Sequence, residues 1–203
     1  MHLGAVPDPV AALVLGHGAG GGVAARDPVA AAEAADSLRF AVALVEQPYC
    51  VAGRRAPAAA PQLDLAWTAV VSMLRDGELN GLPLVVGGRS AGARVACRTA
   101  DASGAVAVLC LAFPLRPPRR TRSGPAPDRQ PELDLVRVPT LVVQGSGDPF
   151  GIPPPAVARE VVVVRGNHSL SSDLEGVRAA VGDWLARIVS SGSRRRRSRA
   201  PAR

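Results

Sequence analysis

Six short apolar runs punctuate the chain, at residues 11–16, 39–46, 83–87, 105–112, 140–145 and 160–165. They are built from Ala, Val and Leu with little polar alternation, which is the pattern of strands buried on both faces. Stretches with helical spacing lie between them, at about 28–37, 62–77 and 91–101, with a short one near 153–159. A last segment, about 173–189, places Leu174, Val177, Val181, Trp184, Leu185 and Ile188 on one face. Strand–helix alternation with buried strands predicts an α/β fold: a mostly parallel sheet of about six strands with helices on both faces. Two connections are long, 47–61, rich in Ala and Pro, and 114–135, rich in Pro and Arg. No internal repeat is present.

The first run opens into "LGHGAGGG" at residues 15–22. A glycine loop between a strand and a helix can cradle a phosphate or turn backbone amides toward an oxyanion. Gly16, Gly18 and Gly21 fit G-x-G-x-x-G, and Glu46 closes the next apolar run, which together outline a dinucleotide fingerprint. In that motif the helix opens within the glycine loop. Pro28 would then lie well inside the helix, at a cost of ~3 kcal/mol. Pro28 fits better at the first helical position, with Asp27 as N-cap, so the helix should start after the loop.

The third run leads into "GGRSAGARVACRTA". Gly88, Ser90 and Gly92 form G-x-S-x-G at a strand-to-helix turn, where small flanking residues let strand and helix approach. The bland alternative is that Ser90 only caps the helix. A serine nucleophile needs a base, and the base needs an orienting carboxylate. On such an elbow the order should be Ser, then Asp or Glu, then His. Of His2, His17 and His168, only His168 lies beyond Ser90; it follows the strand "VVVVRG". Asp148, in "QGSGDPFG", follows the preceding strand, although turn chemistry alone would justify an Asp there. Ser90, Asp148 and His168 thus sit after three separate strands in the required order. The glycine loop then reads as an oxyanion hole, with one N–H from Gly18 or Ala19 and the other from Ala91. His17 would shape that loop.

Composition changes the picture little. The chain has 203 residues, 47% of them hydrophobic and 3% aromatic, so one domain with an Ala/Val/Leu core is expected. The net charge of +7 resides largely in the tail after Val189, which holds six of the 24 basic residues, all of them arginine. Residues 1–189 form the expected domain and are nearly neutral, while 190–203 read as a disordered basic tail. Arg194–Arg197 and Arg199 could bind nucleic acid or acidic lipid through counterion release, but a solvated end is the simpler reading. Cys50, Cys97 and Cys110 lack metal-ligand spacing, and Cys97 and Cys110 read as small core residues. No signal peptide and no bilayer-length apolar stretch is recognised, so a reduced, cytoplasmic protein is expected, without specific nucleic-acid binding. Arg89, Arg116, Arg119 and Arg120 could favour an anionic acyl substrate, or simply be a solvated basic rim.

The stretches "GHGAGG", "EQPYC", "GGRSAGARVA", "LAFPLRPP", "VPTLVVQGSGDPFG" and "GNHSL" carry a resemblance across residues 15–170. The chain resembles the α/β-hydrolase superfamily, near the dienelactone-hydrolase-like enzymes. Within it the chain is similar to a small bacterial branch that shares its domain with testis-expressed hydrolase-like proteins and a subunit of the nuclear NSL acetyltransferase complex. The resemblance implies Ser90 as nucleophile, Asp148 as orienter and His168 as base, acting on a small acyl ester or thioester without metal or cofactor. Asn167 stands where many relatives have an aspartate. The chain starts almost at the third strand of the usual fold, and the usual helical cap should shrink to the 114–135 loop. Some relatives act as scaffolds, so a non-catalytic interaction protein is the alternative.

Overall fold

The structure is a computed structural model describing residues 2–4, 6–19, 21–54, 58–117 and 127–199; for 2–4 and 192–199 the backbone alone is described. A central sheet is built from β1 (His2–Gly4), β2 (Ala11–Gly16), β3 (Phe40–Val45), β4 (Leu84–Arg89), β5 (Ala107–Leu111), β6 (Thr140–Gly145) and β7 (Arg159–Val164). The helices are α1 (Arg26–Ser37), α2 (Pro48–Val51), α3 (Ala60–Asp76), α4 (Ala91–Thr99), α5 (Gln130–Asp134) and α6 (Leu174–Arg199).

The strand order is β1-β3-β2-β4-β5-β6-β7. The six expected strands are all present and mutually parallel. The short β1, which the sequence pattern does not reveal, adds an antiparallel edge that pairs His2 with Leu44. After β2 the chain steps outward to β3, then returns past β2 to β4 and runs on to β7. The direction of winding therefore reverses between β2 and β4. In open parallel sheets, ligand crevices form beyond the strand C-termini at such a reversal.

Each buried strand feeds two cores. Ala12 and Val14 of β2 face Leu63, Trp67, Val71 and Leu74 of α3 and Ala93 and Ala96 of α4. Leu13 and Leu15 face Ala30 and Ala31 of α1 and Val177, Val181, Trp184 and Leu185 of α6. The buried α3 residues recur at three- and four-residue spacing, which gives that helix one apolar face.

Several boundaries differ from the pattern-based reading. Asp27 is not the N-cap of α1: Ala25 is, so Asp27 and Pro28 fall in the first turn, where a missing N–H costs nothing. The helix still starts after the glycine loop, against the dinucleotide outline. No helix forms at 153–159, where Pro153, Pro154 and Pro155 remove three consecutive donors and the chain makes a bridge between Ala156 and Arg159 instead. The long loops contain α2 and α5, one-turn helices too short for periodicity to mark. α5 is tied to α4 by ion pairs of Glu132 with Arg94 and Arg98, and Arg98 in turn pairs with Asp64 of α3. Arg119 and Arg120 lie outside the described residues. α6 does not end at 189 but continues to Arg199, through a Ser/Arg stretch in which Gly192 is the one poor helix former.

Candidate active site

The end of β4 turns directly into α4 at Ser90, whose backbone is at φ 52°, ψ −109°. A serine at positive φ is uncommon and costs about 1–3 kcal/mol. Two backbone bonds hold it: the Ser90 N–H donates to the Leu111 carbonyl at 2.9 Å, and its own carbonyl accepts from the Arg94 N–H at 3.2 Å. The Ser90 side chain makes no capping bond to α4. The glycines of the motif have a steric cause, since a Cβ at either Gly88 or Gly92 would collide with the Gly16 carbonyl oxygen at the end of β2.

Ser90 Oγ lies 2.9 Å from His168 Nε2. His168 Nδ1 lies 2.8 Å from Asp148 Oδ2. The Asp148 side chain is fully buried, while the His168 side chain keeps 18% exposure. Asp148 is held at both oxygens: Phe150 N–H donates to Oδ1 at 2.9 Å, and Gln144 Nε2 donates to Oδ2 at 2.8 Å. Gln144 also reaches the carbonyls of Phe113 and Gly151, which locks the β6 end to the loop after it. The Phe150 ring stacks on His168 with centroids 4.3 Å apart. Sequence reading missed Gln144. Its signal was a polar residue inside the otherwise apolar run "TLVVQG", where it is fully buried.

The glycine loop packs beside the serine. A Cβ on Gly18 would stand 3.0 Å from Ser90 Cβ. His17 is buried. Its Nε2 accepts the Gln47 N–H at 2.9 Å, so Nδ1 carries the proton and donates to the Gly18 carbonyl at 2.8 Å. The Tyr49 hydroxyl points at the same carbonyl, 3.5 Å away, and burial pushes its pKa up to about 12, which keeps it a donor. A trans peptide sets its C=O and N–H in opposite directions. With the Gly18 carbonyl drawn toward His17 and Tyr49, the Ala19 N–H points away from them. Among the described residues, neither Ala19 N–H nor Ala91 N–H, the first of α4, has a hydrogen-bond partner.

Arg89 and Arg116 differ. Arg89 is largely buried and lies 3.2 Å from Asp27, while its Nη2 donates to the His168 carbonyl at 3.1 Å. Arg116 is exposed and pairs with Asp128 at 3.0 Å; its backbone N–H donates to the Phe150 carbonyl. Among the described residues no cluster of His, Cys, Asp and Glu could hold a metal ion, and no helix is long and apolar enough to cross a membrane.

A model of the alpha/beta hydrolase domain family matches residues 9–173. No curated protein matches the chain by sequence. Similar solved structures include the ferulic-acid complex of Est1E from Butyrivibrio proteoclasticus, with TM-score 0.73 and 15% identity over 93% of this chain and 94% of that one. XC6422 from Xanthomonas campestris, described as an α/β serine hydrolase without lid, gives TM-score 0.67 and 18% identity over 90% and 85%. Alpha/beta hydrolase domain-containing protein 10 from mouse gives 0.63 and 14% over 92% and 93%.

Proposed function

Because the chain belongs to the alpha/beta hydrolase domain family, we propose that it is a serine hydrolase that cleaves a small acyl ester or thioester through an acyl-enzyme. The observation that carries this is the run of two hydrogen bonds, 2.9 and 2.8 Å, from Ser90 through His168 to Asp148, with Ser90 on a strained elbow. In this reading His168 Nε2 takes the Ser90 proton as Oγ attacks the carbonyl carbon. The tetrahedral oxygen, now negative, receives the N–H groups of Ala91 and of Ala19 or Gly18. Orientation of the Gly18 carbonyl favours Ala19. As the intermediate collapses, the C–O or C–S bond breaks and the leaving alcohol or thiol takes the proton from His168. A water then gives its proton to His168 and attacks the acyl carbon, which releases the carboxylic acid and restores Ser90. Asp148 keeps the His168 ring in the required tautomer, and Gln144 and Phe150 keep Asp148 and the ring in place. No step needs a metal or cofactor. Of the candidate substrate-binding arginines, Arg116 is the exposed one, and an anionic acyl group would compete with Asp128 for it.

A fluorophosphonate probe tests the reading. The wild type should label under native conditions and Ser90→Ala should not. An unlabelled, folded wild type overturns the nucleophile assignment and leaves the non-catalytic interaction role as the better description of this fold.

A further inference from the structure

Arg89 immediately precedes the nucleophile, and three separate parts of the site meet on its guanidinium. Nε lies 3.2 Å from Asp27 Oδ2 in the first turn of α1. Nη2 donates to the His168 carbonyl at 3.1 Å. Nη1 lies beneath the glycine loop, where a Cβ on Gly18 or Gly21 would stand 3.2 or 3.4 Å from it. We propose that Arg89 and Asp27 form a positioning pair, which clamps the glycine loop and the His168 loop onto the nucleophile elbow only while Asp27 is ionised.

The arrangement does not look like an ordinary stabilising salt bridge. The side chains are 14% and 3% exposed. Asp27 Oδ2 and Arg89 Nε are both buried and lack an aligned hydrogen bond, so the pair is held by charge at short range. Burial is the largest influence on Asp27 and raises its pKa to about 6, opposed by Arg89, then by a hydrogen bond with its own backbone, then by His168. Arg89 from β4 and His168 from the loop after β7 are the charged or titratable groups that face the carboxylate from other elements. The native state therefore binds the Asp27 proton more tightly than the unfolded chain does. Stability from this group is present at acid pH and is lost as pH rises through about 6. The molecule carries an ionised Asp27 at neutral pH at a cost in stability. In return, the ion pair orients a guanidinium that donates to the His168 carbonyl and packs against the glycine loop; loosening these loops withdraws Arg89 while α1 keeps Asp27 buried, so the loosened state binds the proton more tightly still and acid favours it.

The effect on turnover rests on the hydrolase reading; the effect on the loops does not. Hydrogen exchange of peptides covering 17–22 and 166–170 is measured on the full chain between pH 8 and pH 5, corrected for intrinsic exchange. In the wild type both segments should loosen together, with a midpoint near pH 6. In Asp27→Asn and Arg89→Gln both should already be loose at pH 8, by about tenfold in rate, with Arg89→Lys intermediate and the exposed-pair control Arg187→Gln unchanged. With p-nitrophenyl acetate, Asp27→Asn should lower kcat about tenfold and leave KM within about twofold. Wild-type exchange in both segments of the variants, or loosening of one segment alone, overturns the clamp. Loosened loops with wild-type kcat overturn its positioning role. If the charge-removing variants fail to fold, Arg89→Lys decides: both its segments should exchange faster than those of the wild type at pH 8, and equal rates overturn the clamp. A wild type without turnover but with coupled loops would refute the hydrolase reading and leave the clamp standing.

Discussion

The two histidines near Ser90 differ in what their ring nitrogens face. Both nitrogens of His17 are used by backbone, the Gln47 N–H on one side and the Gly18 carbonyl on the other. His168 instead lies between a hydroxyl and a buried carboxylate. A general base must reach the proton that it abstracts, so the roles are separable by substitution. On the proposed hydrolase reading, His168→Ala should lower kcat by at least ~10³-fold, as the loss of a triad member does. His17→Ala should cost about 10- to 10²-fold, by freeing the Gly18 peptide to rotate its neighbouring N–H off the oxyanion. Steady-state kinetics on a p-nitrophenyl ester checks both, and equal losses would mean that His17 does more than hold the loop. Ser90, Asp148 and His168 were legible in sequence because each follows a separate apolar run and their order is constrained. Asp27 and Gln144 were not. An Asp before a Pro at a helix start is sufficiently explained as a cap, and nothing local announces that its carboxylate turns to Arg89, 62 positions away in the chain.

At the level of elements, parallel strands buried on both faces were the clearest signal, because a continuous apolar run with no helical spacing has few other uses. What escaped was either too short for any period, as with β1, α2 and α5, or contrary to backbone chemistry, as with the proline-blocked helix at 153–159. The β2–β4–α4 junction was legible for the same reason that it is fragile: its glycines stand where backbone meets backbone. A Cβ at Gly92 would collide with the carbonyls of Gly16 and His17, neither of which can rotate away as a side chain could. Gly92→Ala should therefore destabilise the domain by about 1–3 kcal/mol, the usual range for overpacking. Urea unfolding measures this, and a midpoint equal to that of the wild type would mean that β2 and α4 can separate more easily than their packing implies.

In the whole molecule, the sheet gathers Ser90 from β4 and His168 from the loop after β7, with β5 and β6 between them. β7 is the edge strand on that side, and Val163 within it is 49% exposed. Edge elements with little cover open at lower free energy than the centre. Ser90 thus follows a strand in the interior of the sheet, whereas His168 hangs from an edge strand. Heating should consequently disarm the protein before it melts. Fluorophosphonate labelling should fall, reversibly, below the temperature at which far-UV circular dichroism changes. Coincident transitions would show that β7 opens only with the rest of the sheet. If the two separate, the edge strand acts as a thermal fuse for the chemistry, and a stabilising substitution in β7 would widen the working temperature range without any change near Ser90.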